Sequence, residues 1–304
     1  MSLQEKETTI ASLELELSKL NDDDKKKQLL YIQELKQHAY DNLDAWDKVY
    51  AARHPLRPKA IDYIHELFPD FIELHGDRLY GDDAAIVGGL ASFHNQSVTV
   101  IAQSKGKTLE DNMHKNFGMV NPEGYRKAMR LAKQAEKFNR PVITIVDTPG
   151  AYPGIGAEER GQAESIAKCL QTFSTLKVPV ICLVISEGGS GGALALTISD
   201  NIIMLENAIY SILSPEGFAT ILWKDAKRAK EASEVMKITA QDLLELKIID
   251  KIIKEPKMGI HNGFEYVIKQ VDEELVTQLN IFKDMKETTR TSLRYKKFRS
   301  IGTL

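Results

Sequence analysis

PVITIVDTPGAYPGIGAEERGQAESIAKCLQTF (141–173) and VPVICLVISEGGSGGALALTI (178–198) repeat one sequence of elements about 38 residues apart. Each is an apolar run long enough for a buried strand, then a glycine-rich loop, then a helical stretch. In the first, Ile166, Leu170 and Phe173 share one stripe. Two consecutive β–loop–α units imply parallel strands joined by right-handed crossovers. In such a sheet the ligand crevice lies at the carboxyl ends of the strands, where both loops fall.

The neighbouring segments extend this α/β reading. AAIVGGLASF (84–93) and SVTVIAQ (97–103) read as strands joined by a turn at His94-Asn95-Gln96. Asn121-Pro122-Glu123 starts a helix with Tyr125, Met129, Ala132 and Ala135 on its inner face, ending near Asn139-Arg140-Pro141. NIIMLE (201–206) and AIYSIL (208–213) are further strands, and helices follow Pro215. Residues 5–50 are charge-dense, with Leu13, Leu17, Leu20, Leu29, Ile32, Leu35, Leu43, Trp46 and Tyr50 at helical spacing. NDDDKKK (21–27) splits them into two expected helices, and Pro55 and Pro58 mark a boundary. From about residue 262 a helical tail carries Val267, Val271, Leu275 and Leu279. The expected division is a helical arm (1–54), an α/β domain (55–260) and a helical tail (261–304).

The chain of 304 residues is 27% charged and 43% hydrophobic with a formal net charge of −3, so no global basic field points to nucleic acid. Cys169 and Cys182, both in apolar stretches, make no zinc-ligand spacing and suit buried thiols. MSLQEKETTI has no apolar signal core and no run approaches a membrane span, so a cytoplasmic protein without membrane contact is expected.

Glycine-rich strand-to-helix loops suit anions, because unpaired N–H groups and a positive dipole end meet there. No Lys follows Gly192 and no G-x-G-x-x-G occurs, which argues against a nucleotide phosphate. Gly188-x-Ser190-x-Gly192 fits a nucleophile elbow, yet the one downstream histidine for a triad is His261. A small residue tolerated among glycines explains Ser190 as well. Glu187 reads as a general base or, more simply, as the partner of a nearby cation. Glu158 and Glu159 suit a helix start, and Asp147 suits a hydrogen bond to the turn around Thr148.

DTPGAYPGIGAEERGQ (147–162), SEGGSGGALAL (186–196), YSILSPEGFATILWK (210–224), ARHPLRPKAIDYI (52–64) and KNFGMVNPEGYRKAMRLAKQAEKFNRP (115–141) closely resemble the carboxyltransferase α subunit of bacterial acetyl-CoA carboxylase, over about residues 45–256. The resemblance implies a crotonase-like fold, a superhelix of stacked ββα units whose paired loops form oxyanion holes. It implies transfer of a carboxyl group from carboxybiotin, tethered to a biotin carboxyl carrier protein, to acetyl-CoA, giving malonyl-CoA for fatty acid synthesis. It implies an α2β2 assembly in which zinc belongs to the β subunit and ATP to the biotin carboxylase subunit. The acetyl-CoA pocket is then expected mainly from β, and these loops face biotin. The backbone N–H groups of Ala151 and Tyr152 are expected in one wall and those of Gly191, Gly192 and Ala193 in the other. Pro149 and Gly150 shape the first loop, while Gly188 and Gly189 let the second turn. Ser190 is then no nucleophile. Ser186 stands where the family often has glycine, Met258 replaces a glycine of its usual EPLGGAH, and the last forty residues match weakly. The rival readings are a serine hydrolase or crotonase-like peptidase using Ser190, and a noncatalytic acyl-CoA-binding scaffold.

Overall fold

The computed structural model describes residues 1–302. Its centre is a sheet of eight strands: β1 (Ile72–Glu73), β2 (Ile86–Phe93), β3 (Gln96–Gln103), β4 (Val142–Thr148), β5 (Val180–Gly189), β6 (Asn201–Leu205), β7 (Ile209–Ser211) and β8 (Lys251–Ile253). The order is β1-β2-β3-β4-β5-β6-β8, with β7 pairing the far end of β5. β2 and β3 form the expected hairpin. His94 and Asn95 both take positive φ (45° and 64°), which matches the twist of the flanking strands. From β3 onward the pairs are parallel. β4 and β5 are buried along their whole length, as parallel strands covered on both faces require.

The repeat seen in the sequence is the β4–β5 register itself, Val142 opposite Val180 and Val146 opposite Val184. Beyond that point the register shifts, and Thr148 faces Gly188. The irregularity lets β5 part from β6, which it pairs over Ile181–Val184, and take β7 as partner over Glu187–Gly189. AIYSIL therefore contributes a strand of three residues only, Ile209–Ser211.

Helices Pro122–Lys137 and Gln162–Thr175 cover the sheet and bury Tyr125, Leu131, Ala132, Ala135, Cys169 and Phe173 against β2–β5. The arm holds three α-helices instead of two: Leu3–Glu16, Asp22–Ala39 and Ala45–Arg53. Asn21 caps the second as expected, but Asp44 caps a third by accepting from the N–H of Asp47, so the stripe through Trp46 and Tyr50 belongs to a separate helix. Leu3, Ile10, Ile32, Ala39 and Ala51 give the arm its own small core. Just after the arm, a buried pair fixes the chain to the sheet: Arg57 donates to both carboxylate oxygens of Glu255 (2.9 and 2.6 Å) and to the carbonyl of Ile185. The tail forms helices Phe264–Lys283 and Glu287–Ser300, the first burying Val267, Val271, Leu275 and Leu279. Arg294 anchors the second by donating to the carbonyls of Phe173, Leu176 and Val178 and to Asp200. No helix among the described residues is long and apolar enough to cross a membrane.

Candidate functional site

β4 and β5 end side by side, and the two glycine-rich loops leave them in backbone contact. A Cβ at Gly189 would lie 2.0 Å from the Pro149 carbonyl oxygen, and one at Gly192 would lie 2.5 Å from Ala151 N. Glycine at these two positions is thus required by the approach of one main chain to the other. Gly188 and Gly189 do not make the turn: both are extended residues of β5, opposite Tyr210 and Ser211. The turn falls on Ser190, which takes φ +59° and opens the helix Ser190–Thr197. In the first loop Gly150 has φ +147°, open only to glycine.

Counting the amide donors narrows the expected walls. Tyr152 N–H donates to the carbonyl of Val120 (3.0 Å), so it is not available to a ligand. Gly150 N–H donates to Thr148 Oγ1 (3.1 Å), which itself donates to the Gly118 carbonyl (2.6 Å). Ala151 N–H makes no hydrogen bond to a described residue. In a helix starting at Ser190, the N–H of Ala193 closes the first turn on the carbonyl of Gly189, which removes Ala193 as a donor. Ser190, Gly191 and Gly192 have no acceptor within the helix for their N–H groups. The unpaired N–H groups of the two loops are therefore that of Ala151 on one side and those of Ser190, Gly191 and Gly192 on the other.

The serine elbow has no triad around it. Ser190 is exposed, and its hydroxyl makes no hydrogen bond to a described residue. His261 is not on a bare surface segment; it is half-buried and stacks on His54 at 4.7 Å beside the arm. Glu187 pairs with Arg53 (2.8 Å) and Lys105 (2.9 Å). Lys105 also lies 3.2 Å from Asp147 Oδ1, without the alignment of a hydrogen bond. Burial acts to neutralise Glu187 and Lys105, but the opposite charges outweigh it, holding Glu187 below the usual carboxylate range and Lys105 above the usual ammonium range. A carboxylate held low beside two cations is a poor proton acceptor. Asp147 leaves the turn to Thr148, contrary to expectation. The sequence reading missed Lys105, although a cation just past the carboxyl end of β3 was a usable signal.

Ser190 and Gly191 help line an apolar cavity of about 500 Å³, together with Leu194, Ile202, Tyr210, Phe218, Ile238 and Phe298. A larger one, about 790 Å³, lies between arm and body along Tyr40, Lys48, Glu206 and Lys254. It does not touch the loops, and its Lys254 is already paired with Glu206 at 2.6 Å. The smaller cavity has the character of a ligand site, with mostly apolar walls and, among its lining residues, Ser190 and Gly191, whose N–H groups are unpaired.

Residues 2–302 match the family described as acetyl co-enzyme A carboxylase carboxyltransferase-like. The acetyl-coenzyme A carboxylase carboxyl transferase subunit alpha of Clostridium botulinum (strain Eklund 17B / Type B) is 60% identical over 259 residues, 85% of this chain and 94% of that one. The protein of the same name from Bacillus velezensis is 53% identical over 293 residues, 96% of this chain and 86% of that one. Among solved structures, transcarboxylase 12S with methylmalonyl-coenzyme A and methylmalonic acid bound superposes with a TM-score of 0.61 at 19% identity, over 74% of this chain and 41% of that one. A Pseudomonas malonate decarboxylase hetero-tetramer in complex with coenzyme A gives 0.61 at 16% identity, over 78% and 94%. At these identities the two structures show a shared fold, the crotonase-like one.

Proposed function

The chain belongs to the family of acetyl-CoA carboxylase carboxyltransferase α subunits, and from that premise we propose that its paired loops hold the oxygens that become negative while a carboxyl group passes from biotin to acetyl-CoA. It is a subunit of a biotin-dependent carboxyltransferase that works within a complex. Malonyl-CoA is the product in this reading, made for fatty acid synthesis in the cytoplasm. The zinc-bearing β subunit, the biotin carboxyl carrier protein and the ATP-using biotin carboxylase subunit are the partners it calls for, with α and β assembled as α2β2.

One observation carries the assignment of the site: two glycine-rich loops in main-chain contact carry unpaired N–H groups, and the second of them lines an apolar cavity through Ser190 and Gly191. Biotin, carried on a partner protein, supplies the carboxyl group in an activated form. Its neutral ring, with a carbonyl acceptor and an apolar body, suits a cavity walled by Leu194, Tyr210 and Phe218 and lined also by Ser190 and Gly191. In the proposal Ala151 N–H on one side and Gly191 and Gly192 N–H on the other receive the developing negative oxygen. Each such donor is worth about 3 kcal/mol in comparable holes. Their fixed orientation is the catalytic device, because no reorganisation is needed as charge builds up. The apolar walls exclude water that would compete for the same N–H groups. Pro149 and Gly150 shape the first loop, and Gly188 and Gly189 carry the second against it. No side-chain base is invoked: the proton lost from the acetyl methyl would go to the ring nitrogen of biotin that gives up the carboxyl group, and Glu187 is left in its ion pairs. The arm (1–54) and tail (261–304) are read as appendages of the catalytic unit (55–260).

The test is the reverse reaction: decarboxylation of malonyl-CoA dependent on biocytin, by this chain assembled with its β subunit. Turnover that survives Ser190→Ala and vanishes without β is the expected result. An assembled wild-type complex without turnover would overturn the reading.

A further inference from the structure

The first turn of helix Ser190–Thr197 contains Gly191 and Gly192, the residue type that holds a backbone direction least well. If their N–H groups are to point one way, something outside the turn must fix them. Packing against the Gly150–Ala151 main chain does part of this. The other fixed contact is a single hydrogen bond from far along the chain: Gln103, the last residue of β3, donates from Nε2 to the Gly192 carbonyl at 2.7 Å.

Gln103 is fully buried, and its Oε1 has no hydrogen-bond partner. Tyr125 Oη, also buried and unpaired, lies in the same floor, 2.8 Å from where a Gly192 Cβ would be. An orphaned amide oxygen in a sealed interior lowers stability, and the one bond made on the Nε2 side does little more than offset it. Leucine or methionine would fill this place at no such cost. The Gly192 carbonyl would still have its helical partner four residues on. The amide is thus poorly accounted for by folding and well accounted for by what it touches.

We propose that Gln103 is a positioning residue, which holds the Gly192–Ala193 peptide in place and so fixes Gly192 itself, steadying the preceding N–H groups of the two-glycine turn. The inference rests on the oxyanion role assigned above. It gives that site a third support, from β3, besides the two loops.

The test compares wild type, Gln103→Leu and Gln103→Glu, each assembled with β, in biocytin-dependent malonyl-CoA decarboxylation, together with their melting temperatures. A misplacement of about 1 Å can cost on the order of 100-fold in rate, so a smaller misaim of a donor is expected to cost about 10- to 100-fold. Both variants are expected to lose that much in kcat with KM for malonyl-CoA little changed. Gln103→Leu should melt at or above the wild-type temperature. A merely structural glutamine would give the opposite pattern, a lowered melting temperature with kcat kept, and that result would overturn the proposal. If Gln103→Leu does not assemble, Gln103→Met, unbranched and closer in shape, replaces it under the same two criteria. A wild-type complex that does not turn over overturns the functional reading as a whole, whereas an active wild type with an equally active Gln103→Leu overturns the role of Gln103 alone.

Discussion

A methyl group added at Gly192 would meet Ala151 N at 2.5 Å and the Gly150 carbonyl carbon at 2.7 Å, and neither is a flexible side-chain end that could swing away. Gly192→Ala is expected to cost about 1–3 kcal/mol by overpacking and to abolish measurable transfer, because relief requires the two loops to separate. Melting curves and the biocytin assay check the two halves of that statement. Ser190 should behave in the opposite sense. It holds a left-handed backbone that glycine would adopt without strain, so Ser190→Gly should stabilise the chain by up to about 1 kcal/mol. Since the hydroxyl has no histidine beside it, turnover should persist; loss of turnover with a raised melting temperature would restore the serine as a chemical participant. The glycine crowding was legible in the sequence, but its reason was not. Freedom to turn is needed at Gly150, whereas Gly189 and Gly192 answer to a main chain 40 residues away that no local pattern reveals.

The segment between β1 and β2 turns back through two aspartates, Asp77 and Asp82, the first of which is linked through Arg126 to the segment following the first loop. Burial pushes Asp77 up, but Arg126 and the N–H groups of Leu79, Tyr80 and Gly81 outweigh it and bring it down to about 2. Asp82 is likewise brought down to about 2, against burial, by Lys127, Gly76 N–H and His75. A carboxylate lowered in the folded state stabilises fully above its unfolded value near 3.8 and is lost as pH falls through about 2. Stability should therefore drop between pH 4 and 2, and Asp77→Asn should flatten that slope in a denaturant series across those pH values. Arg126 also donates to the Arg160 carbonyl (3.1 Å), so acid should loosen the segment following the first loop. Elements of this kind divide by how local their cause is. The His94-Asn95 turn, the start at Pro122 and the strand–loop–helix repeat are set by residues within a few positions and could be read directly. The break at Asp44 was concealed by a hydrophobic stripe that runs on through it. Tyr152 was misread as a donor because its acceptor, Val120, lies 32 residues back and pairs with the loop only once the sheet has formed.

At the scale of the whole molecule, large apolar side chains stand exposed just beyond the site, Ile155 (80%) after the first loop and Ile212 (77%) after β7. With the acyl-CoA half of the site assigned to β, the chain alone should give no malonyl-CoA decarboxylation and gain it on titration with β; turnover by a rigorously β-free sample would contradict the division of the site between subunits. The overall architecture was readable because parallel strands buried on both faces announce themselves as apolar runs. The three-cornered contact of Lys105, Asp147 and Glu187 was not, because each group arrives from a different strand end. The fork in β5 has one more consequence. A strand that pairs with β4, β6 and β7 offers no free edge from which to peel. In hydrogen–deuterium exchange its amides, such as that of Leu183, should be released only by global unfolding, whereas β7 can detach with far less. Exchange would then report two clocks in adjoining strands: a slow one for the floor of the site, and a faster one for the short strand beside its cavity.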